Sequence, residues 1–320
     1  MSELFDDFIA RVKEEGLNDV YGAAVRQHNE LLGVVDLGEP KGRIQLYSAS
    51  KTWTAMAIGI AESEGLLTLD DRLIDHLDPT ELPADTAEGF EKLRLRDLLT
   101  MSVGHAECPT VRVRDELVKA GKMPKDYSFV DLWFDAFCRE PIVHDPEEHW
   151  FVYNNGATYM LSCVISHITG MSVRDYLMPR VFTPLGIENP YWDADKKGRS
   201  FGAFGLFLTT EELARGGQLL LDHGVWEGKQ LVPEAFAREM IKKQVNNDKV
   251  PGKDLESSSG YGYQLWRCSY PETYRMDGMG GVYSIQFPQY DAVVAVTCHE
   301  MKRAHDVLRI IWDTIAPKLQ

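Results

Sequence analysis

Ile44-Gln45-Leu46-Tyr47-Ser48-Ala49-Ser50-Lys51-Thr52-Trp53 runs on as Thr54-Ala55-Met56-Ala57-Ile58-Gly59-Ile60-Ala61-Glu62-Ser63-Glu64-Gly65. A short extended run meets Ser48, and the residues after it are rich in Ala and Ile without a clean polar face, as in a helix buried on most sides. Gly65 then closes that helix as its C-terminal cap. With Ser48 at the first turn, Lys51 lies three residues on along the same face, within reach of the Ser48 hydroxyl. Two readings of Ser48-x-x-Lys51 stand side by side: a capping serine followed by a solvated lysine, or a nucleophile with its activating amine. Context bears on the choice, because Lys51 precedes an uncharged run that lasts to Glu62, a place where a lysine needs a reason. An amine whose charge is disfavoured by burial can take a serine proton. The helix N-terminus adds unpaired N–H groups and a positive dipole end, both suited to an oxyanion.

Working outward, 320 residues exceed the usual single-domain size, so one large core or two domains both fit. An apolar content of 44% and a charged content of 26% are those of a soluble globular protein. The net charge of −15 argues against nucleic acid or an anionic membrane as partner, since those need basic patches, and says nothing against small substrates. The five cysteines (Cys108, Cys138, Cys163, Cys268, Cys298) are scattered and never in a Cys-x-x-Cys pair, which reads as reduced, buried thiols. The segment Met1 to Lys13 reads as an acidic amphipathic helix without an apolar signal core, and no later run is long enough to span a bilayer. A cytoplasmic enzyme is expected; its oligomeric state is not assigned.

A hairpin is predicted from Tyr21–Gln27 and Leu31–Leu37, joined through His28-Asn29-Glu30. Helical patterns occupy Leu93–Thr100, Phe129–Phe137 and Asn155–Ile168, and strands are hard to find between Leu69 and Trp192. The Gly-rich run Phe201–Leu208 is expected to reopen the sheet, and Thr209 with Glu212 forms a capping box before Leu213–Leu221. Strands at Tyr261–Arg267, Val282–Phe287 and Ala292–Cys298 and a helix from Arg303 to Ile315 complete the pattern. The architecture implied is α/β, a sheet built from both chain ends (1–68 and 202–320) with an inserted, mainly helical domain (69–201) and a cleft between them.

Further candidates come from Trp150-Phe151-Val152-Tyr153-Asn154-Asn155-Gly156, where Tyr153 and Asn155 set a phenol and an amide at the start of a helix. The plainer reading is a packed tyrosine ring with Asn155 as helix cap. In Arg275-Met276-Asp277-Gly278-Met279-Gly280-Gly281-Val282-Tyr283, glycines at the start of a strand allow either close approach of a ligand or backbone, or simply a bulge or tight turn. His144 and His149 flank Asp145-Pro146-Glu147-Glu148 with the wrong spacing for a zinc pair, so a solvated loop is favoured, and no metal or cofactor is expected. His105 could line the cleft or be structural. Trp133, Trp150, Tyr261, Tyr263 and Trp266 form an acyl pocket if they converge, and plain core otherwise.

The three motifs, in this order and spacing, resemble the serine hydrolases of the penicillin-recognising superfamily, in the branch of class C β-lactamases, DD-peptidases, related carboxylesterases and aminohexanoate-oligomer hydrolases. The likeness runs from Leu46 to Asp71, through Leu98-Leu99-Thr100-Met101-Ser102-Val103-Gly104 and the Tyr153 loop, then Pro184-Leu185-Gly186-Ile187 and the last strands. It implies a β-lactamase/transpeptidase-like fold with an antiparallel sheet flanked by N- and C-terminal helices. Ser48 is then the acylated nucleophile, Lys51 its activating amine and Tyr153 the proton shuttle, while Asn155 bonds Lys51 and substrate. Where β-lactamases and DD-peptidases carry Lys-Thr-Gly or His-Thr-Gly, this chain has Asp277-Gly278-Met279, closer to the esterase and amide-hydrolase members. By that alignment the Met279 N–H is the second oxyanion donor, with Gly278 beside it, and Arg275 compensates Asp277 only if it points inward. The expected function is hydrolysis of a small neutral ester or amide through a covalent acyl-enzyme. The alternatives are β-lactamase or DD-peptidase activity, and a non-hydrolytic binder on the same fold.

Overall fold

The computed structural model describes residues 3–248 and 254–319. Helix α1 (Asp6–Glu14) leads into β1 (Val20–Gln27), which turns back as β2 (Glu30–Asp36) through His28 and Asn29. Both of those residues have positive φ (52° and 64°), the geometry that lets a two-residue loop follow the twist of its strands. A short β3 (Ile44–Gln45) precedes the Ser48 turn, and α2 (Ser50–Ser63) comes after it, buried at every position from Ser50 to Ala61. Gly65, at φ 72°, ends α2 in a Schellman arrangement: its N–H bonds the Glu62 carbonyl and that of Leu66 bonds the Ala61 carbonyl.

Helices then dominate: α3 (Leu95–Leu99), α4 (Pro109–Lys119), α5 (Trp133–Arg139), α6 (Asn155–Thr169) and α7 (Val173–Leu177). After β4 (Tyr191–Trp192) and β5 (Leu206–Leu208) comes α8 (Thr210–Leu221), opened by the expected capping box between Thr209 and Glu212. The hairpin β6 (Val225–Trp226) and β7 (Lys229–Gln230), then α9 (Glu234–Ile241), lead to β8 (Trp266–Arg267), β9 (Tyr274–Gly278), β10 (Val282–Phe287), β11 (Ala292–Cys298) and α10 (Ala304–Thr314).

The main sheet is antiparallel in the order β2-β1-β11-β10-β9-β8, so both chain ends build it, as expected. Its two faces carry separate cores. Phe8 and Val12 of α1 meet Val25, Ile285, Val294 and Val296 from the strands and Leu308 and Ile311 of α10. On the opposite face α8 lies between the sheet and α2, and it can do so because it is thin there. A Cβ on Gly216 would sit 2.4 Å from the Trp53 ring, and one on Gly217 would sit 2.2 Å from Ser284 Oγ. The larger core continues from α2 and α8 into α3, α5, α6 and α7.

Several expectations need correction. Of Phe201–Leu208 only Leu206–Leu208 is a strand, and it joins β3 and β4 in a separate three-stranded sheet. Gly202 and Gly205, at φ 67° and 87°, break the extended run ahead of it. Tyr261–Arg267 is a strand only over Trp266–Arg267, because Gln264 (φ 57°) turns the chain. Strand β9 has no clear apolar alternation, since Arg275 is as buried as its neighbours Tyr274 and Met276, and it escaped the sequence pattern.

Candidate active site

Tyr47 adopts φ 49°, an unfavourable left-handed geometry for a side-chain-bearing residue, and so swings Ser48 into a tight turn directly ahead of α2. Lys51, the second residue of α2 and one turn on from Ser48, is buried with 1% of its surface exposed. Its Nζ lies 3.0 Å from Ser48 Oγ, 2.7 Å from Asn155 Oδ1 and 2.8 Å from the Ala203 carbonyl. All three partners are neutral. Burial therefore wins, and it pulls the Lys51 amine from an ordinary 10.5 down to about 7; Cys108 and Asp277 oppose the shift more weakly. A neutral amine has two N–H donors and one lone pair. The two carbonyl-type acceptors take the donors, which leaves the lone pair facing the Ser48 hydroxyl.

Tyr153 completes this group. Its ring centroid is 5.0 Å from Lys51 Nζ, and its phenol hydrogen-bonds the Ser48 side chain and receives the indole N–H of Trp266. Burial holds the phenol protonated well above its usual range. The loop that carries Tyr153 is held from below by Met101, whose carbonyl accepts the Val152 N–H and whose sulfur accepts that of Asn154. Asn154, not Asn155, caps α6, through Oδ1 to the Ala157 N–H; Asn155 is the first helical residue and turns its amide to Lys51. The plainer reading of Asn155 as a cap therefore fails by one position.

Gly278 ends β9 against the Ser48 turn so closely that a Cβ would lie 2.2 Å from the Leu46 carbonyl. Met279, the next residue, is half-exposed at 51%. Among the described residues neither the Ser48 nor the Met279 amide N–H donates a hydrogen bond. Arg275 does not point into the cleft as a free cation. Its guanidinium is buried and engaged with Asp277 Oδ2 (2.7 Å), the Glu256 carbonyl (2.8 Å) and the Glu256 carboxylate (3.5 Å).

The remaining candidates separate. His105 is fully buried under the Tyr153 loop, with Nδ1 3.1 Å from Asn154 Nδ2, and burial lowers it to about 4, so it supports the α6 cap and lines no cleft. His144 stacks on Trp150 (4.4 Å), and among the described residues no cluster of His, Cys, Asp or Glu is arranged to hold a metal. The five aromatics do not converge. Tyr261 and Trp266 pack with Tyr153 and Phe151, Trp133 joins Tyr159 and Phe204, and Tyr263 packs on Phe236. Two contributions had no place in the sequence reading, the Ala203 carbonyl and the N–H of Trp266, whose ring was read only as a possible pocket wall or core. The first had a signal in Gly202 and Gly205, which flank Ala203 and turn its peptide toward Lys51. No described helix is long and apolar enough to cross a membrane.

A family model described as Beta-lactamase matches residues 10–314. Among solved structures, the chain is similar to a Bacillus anthracis protein described as a 6-aminohexanoate-dimer hydrolase, with 22% identity and a TM-score of 0.74 over 96% of this chain and 81% of that one. It is similar to the penicillin binding protein of Bacillus halodurans, with 20% identity and a TM-score of 0.71 over 98% of this chain and 99% of that one. It also resembles EstCE1, a hydrolase with promiscuous acyltransferase activity, with 14% identity and a TM-score of 0.76 over 98% of both chains. At these identities the likeness is one of fold. No curated protein sequence matches the chain.

Proposed function

Because this chain belongs to the Beta-lactamase family, whose model spans residues 10–314, we propose that it is a serine hydrolase acting on a small uncharged-acyl ester or amide through a covalent acyl-enzyme. The observation that carries the reading is the buried Lys51 amine, 3.0 Å from Ser48 Oγ and surrounded by neutral partners. A purely structural lysine has no need of such a site.

In this reading Lys51 takes the proton of Ser48 as Oγ attacks the substrate carbonyl carbon. The oxyanion forms between the Ser48 and Met279 N–H groups, neither of which has another acceptor among the described residues. Tyr153 gives its phenolic proton to the leaving oxygen or nitrogen as the carbonyl re-forms, and the proton that Lys51 took from Ser48 passes to the Tyr153 oxygen, which leaves both groups as they began. Water then attacks the acyl carbon: its oxygen bonds to that carbon as one of its protons passes to the Tyr153–Lys51 pair, and that proton goes to Ser48 Oγ as the ester bond breaks and the acid leaves. Asn155 keeps Lys51 aligned at 2.7 Å. A carboxylate-bearing β-lactam is disfavoured, since Asp277 stands in the cleft wall and Arg275 is already engaged. The five unpaired thiols fit a reducing compartment.

The test is intact-mass analysis after treatment with a fluorophosphonate. One adduct is expected on the wild-type chain and none on Ser48→Ala. Equal labelling of both overturns the assignment.

A further inference from the structure

Asp277 has a different environment on each side. One carboxylate oxygen receives Arg275 Nε at 2.7 Å, and the other accepts no hydrogen bond among the described residues, although the side chain is 21% exposed. Arg275 does not depend on Asp277 alone, because the carbonyl and carboxylate of Glu256 hold its other end. The pair is thus oriented, with its positive end inside the protein and its negative end outward. The catalytic side feels the negative end: the Asp277 charge favours the cationic form of Lys51.

Aromatic rings adjoin the Asp277–Arg275 pair. Trp266 is the cross-strand partner of Arg275, and its ring lies 5.9 Å from the guanidinium and 5.3 Å from the Tyr153 ring. Tyr261 meets Trp266 edge-on at 5.1 Å and fixes its tilt. Trp266 therefore bridges the Asp277–Arg275 pair and the phenol that hands a proton to the leaving group. A partly exposed carboxylate walled by tryptophan and tyrosine rings is a setting for an ammonium, which gains chiefly from the charge, since Lys51 already lies over the Tyr153 ring and Arg275 over that of Trp266. The net charge of −15 acts in the same sense at long range.

We propose that the leaving-group side of this cleft is a cation subsite formed by Asp277, Trp266 and Tyr153, and that the preferred substrates carry a positively charged amine or quaternary ammonium on the leaving group. This rests on the serine-hydrolase reading and narrows its substrate class. Asp277 sets specificity by binding the charge, while Ser48, Lys51 and Tyr153 act on the carbonyl.

Acetylcholine and 3,3-dimethylbutyl acetate test it, being the same size and shape and differing only in the charge. Hydrolysis of each is monitored by proton release at low ionic strength in wild type, Ser48→Ala and Asp277→Asn. Wild type is expected to favour the cation in kcat/KM by at least tenfold, about 1.4 kcal/mol, and Asp277→Asn to bring the ratio close to one. Ser48-dependent hydrolysis of both esters with equal kcat/KM overturns the subsite and leaves the hydrolase standing. So does a preference for the cation that Asp277→Asn does not change. Hydrolysis of neither ester by a Ser48-dependent route overturns both. Should Asp277→Asn not fold, choline and 3,3-dimethylbutan-1-ol are compared as inhibitors of wild-type hydrolysis of the neutral ester. Choline is expected to bind at least tenfold tighter, and equal inhibition overturns the subsite.

Discussion

Lys51 and Arg275 are both basic side chains with 1% of their surface exposed, and they meet burial in opposite ways. Arg275 has two carboxylates beside it, Asp277 and Glu256; burial works against its charge, and the Asp277 charge, with Cys268 and Tyr283, still pushes its ionisation above the usual range. Lys51 has a hydroxyl, an amide oxygen and a carbonyl, so burial goes uncompensated and the amine falls to about 7. The difference shows that burial alone does not make a cation reactive. Whether an anion accompanies it decides between a fixed charge and a base. The choice of residue type agrees, since a guanidinium keeps its proton under almost any conditions and an ammonium does not.

The comparison breaks most sharply if each cation is replaced in turn. Lys51→Met should lower turnover of p-nitrophenyl butyrate by on the order of a hundredfold to ten-thousandfold, the usual range for a lost general base, with a small change in urea midpoint. Arg275→Met should do the reverse in emphasis: it leaves Asp277 without its partner, while Glu256 keeps Trp312 and Ser269, and should cost about 3 kcal/mol of stability. Lys51→Arg should fail on both counts, because it installs a permanent charge among neutral partners. Denaturation and kinetics on the three purified variants check this. If Lys51→Met lost as much stability as Arg275→Met, Lys51 would be a structural cation after all.

Next in size is Tyr153→Phe, which removes one hydroxyl from between Ser48 and Trp266. Ester turnover should fall by roughly a hundredfold with folding retained, since the ring still packs on Trp266 and Tyr261. Full activity in that variant would transfer the proton shuttle to another group. Of similar size is the preference for p-nitrophenyl butyrate over a chromogenic cephalosporin, expected to be at least about a hundredfold in kcat/KM. If the anionic end of the Asp277–Arg275 pair rejects the carboxylate, Asp277→Asn should narrow that gap. A cephalosporin hydrolysed as efficiently as the ester in wild type would mean that some cation reaches its carboxylate.

Much of this frame was legible in the sequence, and the residues show why. Ser48 and Lys51 lie on one helix, so their spacing alone puts amine and hydroxyl together, and the charge-free run after Lys51 announces its burial. The hairpin of β1 and β2 and the capping box at Thr209 are equally local. What escaped was non-local. Ala203 reaches Lys51 across 152 positions and offers only its carbonyl, which no side chain advertises. Trp266 was visible as an aromatic, but its hydrogen bond to Tyr153 depends on how β8 closes the sheet. The orientation of Arg275 depends on Glu256, which lies in no regular strand and has no periodicity to read.

The smallest effect sharpens the contrast most directly, because it reads the Lys51 proton itself. As base, Lys51 must be neutral, so kcat/KM for a neutral ester should rise with pH, tenfold per unit at low pH, and level off above the amine's value of about 7. Tyr153 is held well above its ordinary range and keeps its proton throughout, so no opposing limb from it is expected near neutrality. Stability should carry a matching signature. Since the folded value lies below the ordinary 10.5, the unfolded chain binds a proton between about 7 and 10.5 that the folded chain does not, so the Lys51 contribution to stability grows with pH across that window. Below about 7 both states are protonated and the contribution is constant at its least favourable. Arg275 keeps its proton over the whole range and adds no slope. Because the Asp277 charge favours protonated Lys51, Asp277→Asn should move the activity limb to lower pH, while Lys51→Met should remove the Lys51 part of the stability slope. An activity limb near 10, or one that stays put in Asp277→Asn, would show that Lys51 is not the neutral base or that the Asp277 carboxylate does not act on it.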